Sequence, residues 1–218
     1  MHKKQAFIIS FEGIEGTGKS TQSRLLSSFL AKQGFKTAFF REPGSSVFGE
    51  QIRNILLHGK SKLSALSETL LFIAAREQLR IEKIQPNIAK KDIVIIDRYI
   101  DATVAYQGYG SGVDIELINQ LNKVVIGKCI PNLTILFDID PKIGLVRSGR
   151  GDRFEKRKIS FHQRVRMGYL KIAKENPDRI KIIKVDTDIK TIQNQLRTIL
   201  NNEFNFKKRK HKKSADKK

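Results

Sequence analysis

The chain has 218 residues and carries 42 Lys or Arg against 22 Asp or Glu, a formal net charge of +20. That length suits one well-buried core, and a single cysteine, Cys129, excludes a disulfide-stapled scaffold. No run of about 18 apolar residues and no signal-type apolar segment is present, so a soluble protein of a reducing cytoplasm is expected, with no membrane partner.

The first element in chain order is the apolar, β-branched run Phe7 to Phe11, which predicts a strand. It leads into Gly13-Ile14-Glu15-Gly16-Thr17-Gly18-Lys19-Ser20, which fits G-x-x-x-x-G-K-[ST] at every position. A helix is predicted next, over Thr21 to Gln33, with Leu25, Leu26, Phe29 and Leu30 at helical spacing and Gly34 as a stop. Strand, Gly-rich turn and helix together make a phosphate cradle. Glycines let successive N–H groups face one anion, and the helix adds the positive end of its dipole. In such a cradle Lys19 reaches the β and γ phosphates of ATP, Ser20 ligates Mg²⁺, and the stretch from Gly13 to Thr21 binds the nucleotide.

A second strand is predicted over Lys36 to Phe40, then helices over Val47 to Leu57 and Ser64 to Ile84. Phe72 and Arg76 lie four apart on the second of these and so share a face. A ring beside a five-donor fork suits a flat heterocycle, although on spacing alone Phe72 reads first as core, with Arg76 snorkelling to solvent. Ile93 to Ile96 is an apolar strand closed by Asp97, the position from which a P-loop kinase brings an acid near its metal. Arg98 follows and projects from the same edge, where a guanidinium holds phosphate bidentately.

A helix over Ile115 to Ile126 and a strand over Leu133 to Phe137 come next. Arg147, Arg150 and Arg153 then fall in a stretch rich in Gly and charge, Val146 to Phe154. It reads equally as a solvated surface loop and as an arginine-bearing lid closing over a triphosphate. A helix over Ile159 to Lys174, a strand over Ile180 to Val185 and a helix over Ile189 to Asn202 complete the body. The alternation predicts an α/β protein of P-loop NTPase type, a five-stranded parallel sheet flanked by helices, forming one domain over residues 1–206. Ligands in such sheets gather at the carboxyl ends of the strands, here Glu12, Arg41, Asp97, Asp138 and Asp186. Residues 207–218 hold eight Lys or Arg and one Asp, a net +7 that leaves +13 for the rest. With almost nothing apolar to bury they are expected to be a disordered basic tail. Contact with nucleic acid through that tail and plain solvated charge both stay open.

The ordered motifs resemble one family, thymidylate kinase. They are Phe11-Glu12-Gly13 through Thr21, then Arg41-Glu42-Pro43-Gly44, Leu71 to Arg76, Asp97-Arg98-Tyr99, Ala105 to Gly108, Pro131 to Thr134, and Asp152 to Glu155. The resemblance implies phosphorylation of dTMP to dTDP by MgATP, in a homodimer. It turns Phe72 and Arg76 into the residues that stack on the thymine and hydrogen-bond its edge. It places Arg98 on the monophosphate with Arg53, Arg41 and Pro43 close by, Thr103 and Gln107 along the base, and Tyr106 against the ribose 2′ position. Glu15 becomes the acid at the 3′-hydroxyl and metal region. Without an arginine in the P-loop, the catalytic arginine is expected from the lid, at Arg150 or Arg153, with Arg147 on the ATP side. The chain departs from the family pattern at Ser45, where Gly is common, at Ala102, where Ser is usual, and in its tail. A kinase for another nucleotide or nucleoside is the alternative within the class, and a basic nucleic-acid-binding P-loop NTPase is the alternative outside it.

Overall fold

The computed structural model describes residues 5–149 and 151–204. Five strands, β1 (Phe7–Glu12), β2 (Thr37–Arg41), β3 (Ile93–Asp97), β4 (Leu133–Asp138) and β5 (Ile180–Lys184), form one sheet in the order β2-β3-β1-β4-β5, every pairing parallel. Ile93 to Ile96 are fully buried, as an apolar strand must be when helices cover both faces of the sheet. Ile8, Val94 and Ile96 pack on Leu79, Ile84, Tyr99 and Ile126. Their neighbours Ile9, Phe11, Ile93 and Ile95 belong to the larger core cluster with Leu26, Leu30, Val165 and Tyr169. The period of two in the strands thus sorts adjacent residues between two apolar layers.

Around the sheet lie α1 (Lys19–Lys32), α2 (Val47–His58), α3 (Ala65–Leu79), α4 (Gln85–Ile88), α5 (Ile100–Thr103), α6 (Ile115–Ile126), α7 (Pro141–Ser148), α8 (Ile159–Glu175) and α9 (Ile189–Phe204). Every predicted strand is present, shifted by no more than a residue or two. The long helix expected over Ser64 to Ile84 is instead α3 followed by a π-helical turn, Arg80–Ile84, in which the Gln85 N–H bonds to the Arg80 carbonyl. Pro86 explains the change of pitch. It has no N–H to donate and its ring collides with the carbonyl four residues back, so the wider turn accommodates it. Besides the short α4 and α5, two helical stretches are not predicted by the sequence pattern. A π-helical segment, Val104–Gly110, continues α5 and is buried over Val104 to Gly108, so it lacks the amphipathic period that reveals a helix. The arginine-rich stretch begins inside α7, whose start is set by the Asp140 cap and Pro141 and whose end is set by Gly149 at φ 57°.

The register brings Phe11 opposite Asp97, and Asp97 opposite Arg41. Polar groups therefore line one edge of the sheet beside the turn that leaves β1, where the strand order reverses.

Candidate active site

The turn from β1 into α1 is built by glycines that admit no side chain. Gly13 has φ 134° and a Cβ there would sit 2.3 Å from the Phe137 carbonyl oxygen; Gly16 has φ 70° and its Cβ would sit 1.8 Å from the Gly144 oxygen. No side chain caps α1; the Thr21 and Gln22 N–H groups bond to the Gly18 carbonyl, which leaves those of Lys19 and Ser20 as the ones an anion can meet. Lys19 is buried and donates to the Ile14 carbonyl at 2.5 Å and to Thr17 Oγ1 at 3.1 Å, folding back over its own loop. Burial, then the Arg98 charge, lower the Lys19 pKa to about 7.

Ser20 Oγ donates to Asp97 Oδ2 at 2.5 Å. The end of β3 is thus joined to the first turn of α1, a hydroxyl and a carboxylate side by side. These are hard oxygen donors of the kind Mg²⁺ takes when phosphate oxygens and water complete its shell, whereas groups of three or more metal-ligating His, Cys, Asp or Glu are absent among the described residues. The donor set fits Mg²⁺.

Arg98 follows at φ 65°, a left-handed conformation that costs a bulky residue about 1 to 3 kcal/mol and that clusters at functional sites. The turn aims its guanidinium back at the P-loop. It donates to the Gly13 carbonyl at 2.9 Å and to Glu15 Oε1 at 3.1 Å, and lies over the Tyr106 ring at 4.8 Å. Tyr106 Oη donates to the same Glu15 oxygen at 2.6 Å. Burial alone raises a carboxylate, but His162, Arg98 and Lys19 around Glu15 outweigh it and hold it well below the usual range.

These groups open onto one cavity of about 670 Å³. Its P-loop end is lined by Glu15, Gly16, Gly18, Lys19, Ser20, Thr21, Asp97 and Arg98, and Gly13, Ile14 and Thr17 are not among the lining residues. Beyond Arg98 come Arg41, Pro43 and Arg53. Arg41 forms a half-exposed pair with Glu50 at 2.9 Å, worth under about 1 kcal/mol and easily given up to a ligand; Arg53 donates to the Pro43 carbonyl at 3.1 Å. Ser45, adjoining this loop, sits at φ 64°. That is the backbone glycine adopts most easily, and Ser45 offsets the strain with an Oγ that accepts from the Arg41 N–H at 2.8 Å.

The far end of the cavity is lined by Phe72, Arg76, Thr103, Tyr106 and Gln107. Phe72 meets Phe154 edge to face at 5.9 Å, and Gln107 is held through Glu68 at 3.0 Å. Arg76 does not snorkel. Its side chain is fully buried and bonded to Glu42, Asn122, the Tyr99 carbonyl and Thr103 Oγ1. The arginine-rich stretch is divided. Arg147 lines the cavity and donates to the Val185 carbonyl at 3.2 Å. Arg153 is off the wall, with a buried Nη1 and its backbone N–H bonded to the Leu57 carbonyl at 3.3 Å. Arg150 lies outside the described residues.

Sequence reasoning missed Arg24, Phe154, Glu42, Asn122 and His162. Arg24 stands four residues after Ser20 on α1, a spacing that already places it on the cavity side. His162 shares the inward phase of α8 with Val165 and Tyr169, and a polar residue in that phase was its signal. Glu42 stands in the Arg41 to Gly44 motif that carries the family resemblance, whereas Asn122 carries no local signal.

A P-loop with its lysine, a Ser–Asp pair for a hard cation and an arginine aimed at the same cavity as an aromatic-lined slot define a P-loop phosphotransferase acting on a nucleotide-sized acceptor. A sequence model of one family, Thymidylate kinase, matches residues 11–196. A thymidylate kinase from Kosmotoga olearia is 42% identical over 191 residues, covering 86% of this chain and 92% of that protein. One from a Geobacillus species is 45% identical over 180 residues, covering 80% and 86%. The crystal structure of thymidylate kinase from Ehrlichia chaffeensis superposes with a TM-score of 0.76 at 39% identity, covering 90% of this chain and 99% of that one. The chain belongs to the thymidylate kinase family.

Proposed function

We propose that the cavity transfers the γ-phosphoryl group of ATP to dTMP, giving ADP and dTDP. One observation carries this reading: a single continuous cavity joins Lys19 and the Ser20–Asp97 pair to Arg98 and, beyond it, to Phe72. An oxygen of the dTMP phosphate attacks the γ-phosphorus in line as the bond to the β-phosphate oxygen breaks. The attacking oxygen is already anionic, so the chain supplies positioning and charge, not a base. Two unit charges 4 Å apart repel by about 4 kcal/mol at an effective dielectric of 20, and several such pairs meet here. Lys19 offsets this at the β and γ phosphates, Arg98 at the monophosphate, and Arg147 with an arginine of residues 150–153 from the lid side. Ser20 and Asp97 would hold Mg²⁺, which when bound would neutralise phosphate charge. Phe72 stacks on the thymine, and Arg76 has one Nη1 hydrogen beyond its Asn122 bond for the base edge. Thr103 and Gln107 flank the base, Tyr106 crowds the ribose 2′ position, and Glu15 accepts from the 3′-hydroxyl.

Leu66, Leu70 and Ala74 recur every four residues on α3 and are exposed, an apolar stripe that supports a homodimer. Sedimentation of the wild type against Leu70→Glu tests it. No helix among the described residues is long and apolar enough to cross a membrane. Nucleotide substrates and a lone Cys129 thiol suit the cytoplasm. The catalytic domain is assigned to 1–206; the 207–218 tail lies outside the described residues. ADP release with dTMP, dUMP, dCMP, UMP, thymidine or no acceptor tests the reading. Release that is equal without an acceptor, or greater with another one, overturns it.

A further inference from the structure

His162 is fully buried on α8, and neither ring nitrogen has a hydrogen-bond partner. Its Nδ1 stands 3.4 Å from Glu15 Oε2, which is also buried and without a partner. The other Glu15 oxygen accepts from Tyr106 at 2.6 Å and from Arg98 at 3.1 Å. Two orphaned polar groups facing each other in a dry site are each expensive alone, and one hydrogen bond satisfies both. Closing 3.4 Å to an ordinary N–H···O distance takes a movement of only about 0.5 Å. Phe161 packs edge to face on the ring at 5.3 Å.

We propose that His162 is a positioning residue that fixes the Glu15 carboxylate through an Nδ1–H···Oε2 hydrogen bond, joining α8 to the P-loop so that Glu15 is preset for the acceptor's sugar. Glu15 is then held at both oxygens, by hydroxyl and guanidinium on one side and imidazole on the other, and does not reorient when the acceptor enters. The sugar half of this inference rests on the reading that Glu15 meets the 3′-hydroxyl of dTMP; the hydrogen bond does not.

Two measurements on the full chain test the halves separately. Nitrogen-15 NMR of the imidazoles, with the His162 signal assigned by its loss in His162→Asn, reports which nitrogen carries hydrogen. Hydrogen on Nδ1 is expected, in the neutral or the charged ring, and a neutral ring protonated only on Nε2 overturns the bond. In kinetics, His162→Ala is expected to raise the KM for dTMP at least ~10-fold, with kcat and the KM for MgATP within ~3-fold. With 3′-deoxythymidine monophosphate as acceptor the same substitution is expected to change KM by less than ~3-fold, because the hydroxyl it serves is gone. His162→Asn, whose amide nitrogen falls near the Nδ1 position, should recover most of the loss; if the alanine variant does not fold, His162→Leu takes its place against Asn. Equal losses with both acceptors, or an Asn variant no better than Ala or Leu, make His162 a packing residue and overturn the proposal. If the wild type does not phosphorylate dTMP, the functional reading falls while the NMR result still decides the bond.

Discussion

Replacing Arg76 by Met keeps its length and apolar stem but removes the charge partner of a buried carboxylate. Glu42 is 3% exposed, and its two oxygens meet Arg76 Nε at 3.0 Å and Arg76 Nη2 in a shorter contact. Burial pushes Glu42 upward and Arg76 opposes it, while Glu42 more than restores what burial takes from Arg76. Breaking a buried pair from one side costs about 3 to 5 kcal/mol, chiefly through the charge left behind. For a chain of this size each kcal/mol moves Tm by roughly 2 to 4 °C, so Arg76→Met is expected to melt about 6 to 20 °C lower. Glu42→Gln in the same background removes the stranded charge, so the double variant should be more stable than the two single losses added together, by up to about 3 kcal/mol. Thermal unfolding followed by circular dichroism, with urea titration at 25 °C, measures all four proteins. A Tm for Arg76→Met within about 2 °C of wild type, or losses that simply add, refutes the reasoning.

Glu12 is buried, bonded to the Tyr99 N–H at 2.7 Å and Tyr169 Oη at 2.8 Å; burial and then Asp101 push it up to about 7. Between its ordinary 4.5 and about 7 the folded state holds a proton the unfolded chain has released, so stability is full below that window and falls as pH rises through it. Urea midpoints against pH should show wild type losing up to about 3 kcal/mol more than Glu12→Gln between pH 5 and 8, and parallel profiles contradict this. Phe72→Ala is expected to weaken dTMP binding by ~1 to 3 kcal/mol in calorimetry with MgATP affinity much less affected; equal losses with a lowered Tm would make Phe72 core. Lys19→Ala should lower turnover by ~10² or more in a protein with an unchanged circular dichroism spectrum, and near-normal turnover removes the phosphate assignment. Deleting residues 207–218 should leave dTMP kinetics nearly unchanged while reducing salt-sensitive retention on a polyanion column, and a large fall in turnover would place the tail on the active site.

The sequence by itself determined the strands, the cradle and the edge on which the site lies. Those follow from local rules: a period of two, glycines where the backbone must turn left, and Asp97 at the end of an apolar run, all readable within a dozen residues. The start of α7 at Asp140-Pro141 and its stop at Gly149 are local signals of the same kind, although the arginine-rich stretch reads as loop or lid. Only the tertiary structure decided that Arg76 is a buried keystone and not a snorkelling cation, because its partners Glu42, Thr103 and Asn122 arrive from a strand end and two other helices. It alone set Arg147 on the cavity wall with Arg153 behind it, and it brought His162 from α8 to Glu15 in the P-loop. Hydrogen-bond satisfaction of a buried polar group is a property of the three-dimensional neighbourhood. Residues far apart in the chain become partners when the sheet closes, and a helix or strand period does not record it.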